Sequence, residues 1–174
     1  MKVLLKILAG LGALVLLLVV AAFFLPREYR VERSAIIKAR PEAIHAQLAD
    51  MRAWSAWTVW HERDPAMKNT YSDKQAVVGA WSAWESKQEG NGKSTLTEIT
   101  STRIVYDLEF PDMGMKSTGA FELTPQADGV KVVWSDAGDL GLNPLSRWFG
   151  LFLDKLLGPD FEAGLAKLKR NLEQ

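Results

Sequence analysis

The chain has 174 residues, 48% of them hydrophobic, and balances 21 Lys and Arg against 21 Asp and Glu. That length suits one domain plus an N-terminal segment, and the charge balance leaves no basic patch of the kind that tracks nucleic acid, so no nucleic-acid partner is expected. With no cysteine, disulfides, thiolate catalysis and cysteine-type zinc sites are excluded.

From Ile7 to Leu25 nineteen residues run without a charge, thirteen of them Leu, Ile, Val or Phe. As a helix they extend about 28 Å, against a hydrocarbon core about 30 Å thick. At roughly −0.3 to −0.6 kcal/mol each near the bilayer centre, the apolar side chains favour insertion by several kcal/mol. The competing reading is a cleaved signal peptide, with Val20-Ala21-Ala22 as the small-residue site. Against it, the run is longer than a signal core and has no polar region before its end. A single-pass anchor over residues 1–26 is therefore expected, followed by one domain over 27–174. Lys2, Lys6 and the α-amine form a basic tail that resists translocation, whereas Arg27, Arg30 and Arg33 argue for the opposite orientation. The expectation is tail inside and domain on the extracytoplasmic (periplasmic) side.

Arg30 to Ala39 reads as a strand, and Pro41 is well placed to start a helix whose buried face is Ile44 and Leu48. Trp54, Trp57 and Trp60 follow at steps of three, so a helical turn would gather them on one side. Two readings stand there: the indoles plug the bottom of a core, or Trp57 and Trp60 line a cavity. After the Asp64-Pro65 turn come strands at 67–72, 79–86 and 93–100, the last two joined through Glu89-Gly90-Asn91-Gly92. Arg103 to Phe110 alternates, with Ile104, Tyr106, Leu108 and Phe110 inward. Phe121 and Leu123 share a face of the next strand, and Val130, Val132 and Trp134 alternate into the last. Short turns between neighbours imply an antiparallel sheet.

The C-terminal stretch is expected to hold two helices divided at Gly158-Pro159, where Pro159 lacks an N–H. Phe161, Leu165, Leu168 and Leu172 make a narrow stripe suited to packing on the sheet. The helix before them, Leu145 to Leu157, is apolar over roughly 240° of its circumference. Such a helix should touch protein on one side and something greasy on the other.

This order of elements resembles the SRPBCC superfamily of START and birch-pollen-allergen proteins, and within it the polyketide cyclase/dehydrase-like branch. The resemblance rests on Tyr29-Arg30-Val31-Glu32-Arg33-Ser34, Pro41-Glu42-Ala43, Trp54-Ser55-Ala56-Trp57, Asp64-Pro65-Ala66-Met67-Lys68 and Gly79-Ala80-Trp81-Ser82-Ala83-Trp84-Glu85. Arg103-Ile104-Val105-Tyr106, Val132-Val133-Trp134-Ser135 and Gly158-Pro159-Asp160-Phe161-Glu162 continue it, from about Tyr29 to Leu172. It implies an α+β helix-grip fold: a curved antiparallel sheet wrapped around a C-terminal helix, here preceded by one transmembrane helix. It also implies an apolar cavity for lipids, sterols, polyketides or similar molecules, and no catalytic motif common to the family.

The expected function is thus a membrane-tethered binding protein for a hydrophobic small molecule or lipid, without cofactor or metal. The expected cavity residues are Trp57, Trp60, Tyr106, Leu108, Phe110, Phe121, Val132 and Trp134, with Phe149, Phe152 and Leu156 over them. Two alternatives stand beside it. A cyclase-like enzyme would need Glu85, Glu98, Tyr106 or His61 turned inward, and a structural module of an envelope complex would dock a protein partner on the apolar helix. His45, beside Ile44, is expected to be structural or half exposed.

Overall fold

The computed structural model describes residues 2–174. Helix α1, Lys2–Ala22, is apolar on every side and long enough to cross a membrane, and nearly all of it lies outside the protein core. Seven strands follow: β1 Glu28–Ile37, β2 Lys68–Tyr71, β3 Trp81–Glu85, β4 Gly92–Ile99, β5 Arg103–Phe110, β6 Met115–Gln126 and β7 Gly129–Asp139. They form one antiparallel sheet in the order β1-β7-β6-β5-β4-β3-β2. Between β1 and β2 lie α2 (Pro41–Ala49), a 3₁₀ turn at Ala53–Ala56 and the one-turn helix α3 (Trp60–Arg63). After the sheet come α4 (Pro144–Gly150) and α5 (Leu153–Leu172). This is the α+β helix-grip plan, with α5 held against a curved sheet.

The core sits between α5, α2 and the central strands. Phe161 of α5 stacks on Trp134 with ring centroids 4.0 Å apart. That approach depends on Gly164, where a Cβ would stand 3.0 Å from the Trp134 ring. Phe161, Leu165 and Leu168 are buried, and Leu172 packs at the end of the same stripe.

The expected break at Gly158-Pro159 is not there: α5 runs through Pro159, and the chain bends at Leu151-Phe152 instead. Pro159 cannot bond to the carbonyl of Lys155, and Lys155 lies on the exposed side of the helix, where a freed carbonyl costs least. Arg33 of β1 then clasps both sides of the proline, bonding Asp154 at 2.8 Å and Glu162 at 2.6 Å. Gly158 leaves room for it, since a Cβ there would fall 2.0 Å from the Arg33 guanidinium.

The bend at Leu151-Phe152 lets α4 leave the sheet and meet α1. Arg147, buried to 7% exposure, donates to the carbonyls of Phe23 at 3.1 Å and Gly141 at 3.0 Å. Trp148 Nε1 donates to the Leu18 carbonyl at 3.1 Å. The turn that closes the C-terminal end of α1 thus has a cation from the domain set against it, at the negative pole of the helix dipole.

A cavity between the sheet and the terminal helices

Opposed pairs of an aromatic residue and a glycine shape the concave face of the sheet. Trp84 faces Gly92, Tyr106 faces Gly119 and Tyr29 faces Gly138 in direct register. A Cβ at any of these glycines would meet the opposing ring within 2.7 Å. Each ring therefore lies down across its neighbour strand instead of standing into the interior, and space remains above it.

That space is a cavity of about 400 Å³, inside the range of roughly 300–1,000 Å³ usual for small-molecule sites. Its floor includes Tyr106, Leu108 and Phe110 of β5, with Trp84 and Tyr71 toward the far edge. Trp54, Trp60 and Met51 close one side, while Phe149 of α4 and Leu153, Leu156 and Leu157 of α5 roof the other. Most of this lining is apolar.

Of the eleven residues expected from sequence, Trp60, Tyr106, Leu108, Phe110, Phe149 and Leu156 border the cavity. Trp57, Phe121, Val132 and Trp134 do not; all four are at most 1% exposed and form the solid core beneath. The indole of Trp57 meets Trp134 at 5.3 Å and Phe121 at 5.9 Å, edge to face. The three tryptophans do not share one helical turn, because the 3₁₀ turn ends at Trp57, whose φ of −134° rotates the chain. Trp57 thereby plugs the core while Trp54 and Trp60 face the cavity. Phe152, at the bend, is 54% exposed and lies outside the cavity lining.

The carboxylates considered for an enzyme point elsewhere. Glu85 is exposed on the convex face, opposite in parity to Trp84. Glu98 pairs with Arg103 at 2.6 Å outside the cavity. His45 bonds the Thr100 carbonyl at 2.9 Å, a structural contact. His61 does border the cavity. The Asn69 amide nitrogen lies 2.5 Å from the His61 Nε2, while the buried His61 Nδ1 has no partner among the described residues. Burial, with Lys167 nearby, lowers the His61 pKa and so favours the neutral ring. Tyr106 is bound within the core, its hydroxyl accepting from Trp134 Nε1 at 2.9 Å. Burial raises its pKa far above the ordinary range.

The most unusual polar group is one that the sequence reading passed over. Asp136 of β7 is 3% exposed and borders the cavity. Tyr29 donates to one of its oxygens at 2.7 Å and Ser117 to the other at 2.8 Å. Burial raises the Asp136 pKa, and the two hydrogen bonds only partly oppose that. Strand parity was the available signal. Val130, Val132 and Trp134 face inward, so the second residue after Trp134 must as well.

Residues 28–173 match the family described as polyketide cyclase / dehydrase and lipid transport. Among curated proteins none matches the sequence significantly. Similar solved structures include a protein from Thermobifida fusca, with a TM-score of 0.63 and 19% identity over 82% of this chain and 92% of that one. Another is the di-domain ARO/CYC StfQ of the steffimycin biosynthetic pathway, with a TM-score of 0.61 and 16% identity over 84% of this chain and 51% of that one. A third is the Aha1 dimer from Colwellia psychrerythraea, with a TM-score of 0.57 and 18% identity over 83% and 96% of the two chains. At such identities the likeness is one of fold.

Proposed function

The chain belongs to the polyketide cyclase / dehydrase and lipid transport family, and from that premise we propose that it is a membrane-tethered binding protein for a hydrophobic small molecule or lipid. The observation that carries this reading is the apolar cavity of about 400 Å³ between the sheet and α4–α5. Displacing water from such walls drives binding at roughly 25 cal/mol per Å² of apolar surface covered. Trp60, Tyr106, Leu108, Phe110, Phe149 and Leu156 are the proposed contacts, with Trp54 and Trp84 beside them.

In this reading residues 1–26 anchor the protein and residues 27–174 are the binding domain. The basic tail stays inside and the domain lies on the periplasmic side. The bend between α4 and α5 forms the gate. Leu145, Phe149, Leu151, Phe152 and Leu156 are each 46–78% exposed there. Phe23 and Phe24, just past α1, are exposed as well. An anchored domain would set this apolar surface against the bilayer, so that a ligand passes between lipid and cavity without crossing water.

Mass spectrometry of molecules co-purifying with the full chain tests the proposal. An apolar species in stoichiometric amount supports it. Preparations that carry nothing, together with tryptophan fluorescence that ignores a panel of lipids, would refute it. One observation favours a second reading, an enzyme of the cyclase type: the imidazole of His61 on the cavity wall, its buried Nδ1 unpartnered among the described residues. Loss of turnover of a polyketide-like substrate in His61→Ala, with binding intact, would establish it.

A further inference from the structure

Asp136 presents an imbalance that the apolar reading of the cavity leaves unexplained. Its carboxylate is almost fully buried, and its two partners, Tyr29 and Ser117, are neutral hydroxyls. Among the described residues no Lys, Arg or His is ion-paired with it, and no cation contributes to its altered acidity. A buried carboxylate without a counter-charge is expensive. The two hydroxyls use about half of its roughly four acceptor positions. The remaining lone pairs belong to a group at the cavity surface.

The rest of the lining tilts the same way. Arg63 is its one Lys or Arg, against the three carboxylates of Glu89, Asp136 and Asp160, a formal balance of minus two with neutral His61. Arg63 itself is engaged, paired with Asp160 and lying 3.4 Å from Glu89. An anionic head would find no free strong cation here, and would meet excess negative charge in a low-dielectric space.

We infer that Asp136 is the polar anchor of the cavity, accepting a hydrogen bond from the amine or hydroxyl head of an otherwise apolar small molecule. This inference rests on the binding function proposed above and deepens it by naming a head group. Tyr29 and Ser117 are positioning residues: each bonds one oxygen of the carboxylate and fixes its plane. Fatty acids and other apolar anions are disfavoured, although they satisfy the apolar walls equally well.

The test uses the full chain in phosphatidylcholine nanodiscs and three ten-carbon probes that differ only in their heads: decylamine, 1-decanol and decanoate. Tryptophan emission reports binding, because Trp54, Trp60 and Trp84 border the cavity. Empty nanodiscs correct for partition into lipid. Decylamine or 1-decanol should bind roughly ten- to a hundredfold more tightly than decanoate, the factor expected of one hydrogen bond to a charged group. A lead for the amine identifies a cationic head and a lead for the alcohol a hydroxyl. In D136N the preference for amine over decanoate should shrink about tenfold or more. Decanoate binding as tightly as the other two overturns the anchor while leaving the cavity reading in place. An amine-over-decanoate preference in D136N equal in size to that of wild type does the same. Binding by none of the three overturns the cavity reading, and the anchor with it. The wild-type ranking decides the matter even where D136N does not fold.

Discussion

Arg147→Met should free α1 from the domain without unfolding either. In the structure the Arg147 guanidinium reaches the Phe23 carbonyl at 3.1 Å and stands 5.7 Å from the Phe23 ring centroid. A hydrogen bond from a charged donor contributes about 1.5–3 kcal/mol net, and a partly desolvated cation–π contact about 0.5–2 kcal/mol. Met keeps the bulk and loses both, so about 2–5 kcal/mol of the clamp disappears, a change of roughly 30- to 4,000-fold in the docked-to-free ratio. What remains is mainly the Trp148–Leu18 bond at 3.1 Å, a neutral pair worth about 1 kcal/mol, which by itself favours docking only about fivefold. The chain has no cysteine, so a Val15→Cys and Leu145→Cys pair takes spin labels at two sites alone. Pulsed electron paramagnetic resonance in nanodiscs should give one narrow distance distribution for the parent and a broad one for Arg147→Met. Identical distributions would refute the clamp. They would also remove the mechanical link between α1 and the cavity mouth on which the proposed tethering relies.

Four further outcomes follow from the structure. Phe149→Ser should weaken ligand binding about five- to tenfold with little change in melting temperature, because Phe149 borders the cavity yet is 46% exposed. Leu168→Ala, at a fully buried position, should do the reverse, costing about 2–5 kcal/mol of stability with a smaller effect on binding; equal effects of the two would reduce α4 to ordinary core. Gly119→Ala should cost about 1–3 kcal/mol in denaturant melts, because the added Cβ falls 2.1 Å from the buried Tyr106 ring; a neutral result would mean that the ring has room to rise. For Asp136 the folded pKa lies above its ordinary value of 3.8. The folded state therefore holds the proton more firmly than the unfolded state, and the group's contribution to stability falls as pH rises from about 3.8 through the folded pKa. The melting temperature of Asp136→Asn relative to wild type should accordingly rise between pH 4 and pH 7, read by circular dichroism. A flat difference would show the carboxyl to be solvated.

The neighbouring carboxylate Asp139 behaves oppositely, and the contrast shows how little of the site is local. Arg27 at 2.5 Å, with the Gly141 N–H, holds the Asp139 pKa down to about 2. Asp136, three residues earlier on the same strand, is pushed up. The two emerge on opposite faces of the sheet, Asp136 into the interior and Asp139 outward beside Arg27.

Whatever depends on period and on near neighbours was legible in the residues alone. Nineteen uncharged residues make an apolar helix long enough for a bilayer in any context. Alternation through Arg103–Phe110 and Val130–Trp134, with turn residues between the strands, suffices for seven antiparallel strands and a helix laid against them. Tertiary structure decided which inward side chains meet solid core and which meet empty space. Trp134 and Tyr106 have the same inward parity, yet one is covered by Phe161 and the other lies over Gly119 at the cavity floor. It also moved the helix break from Gly158-Pro159 to Leu151-Phe152, because Arg33, distant in sequence, clasps α5 on both sides of the proline. Arg147 reads as a polar interruption in an apolar helix until α1 ends beside it. Parity is a property of one strand, whereas a cavity, a clamp and a buried carboxyl are properties of segments that meet only after folding.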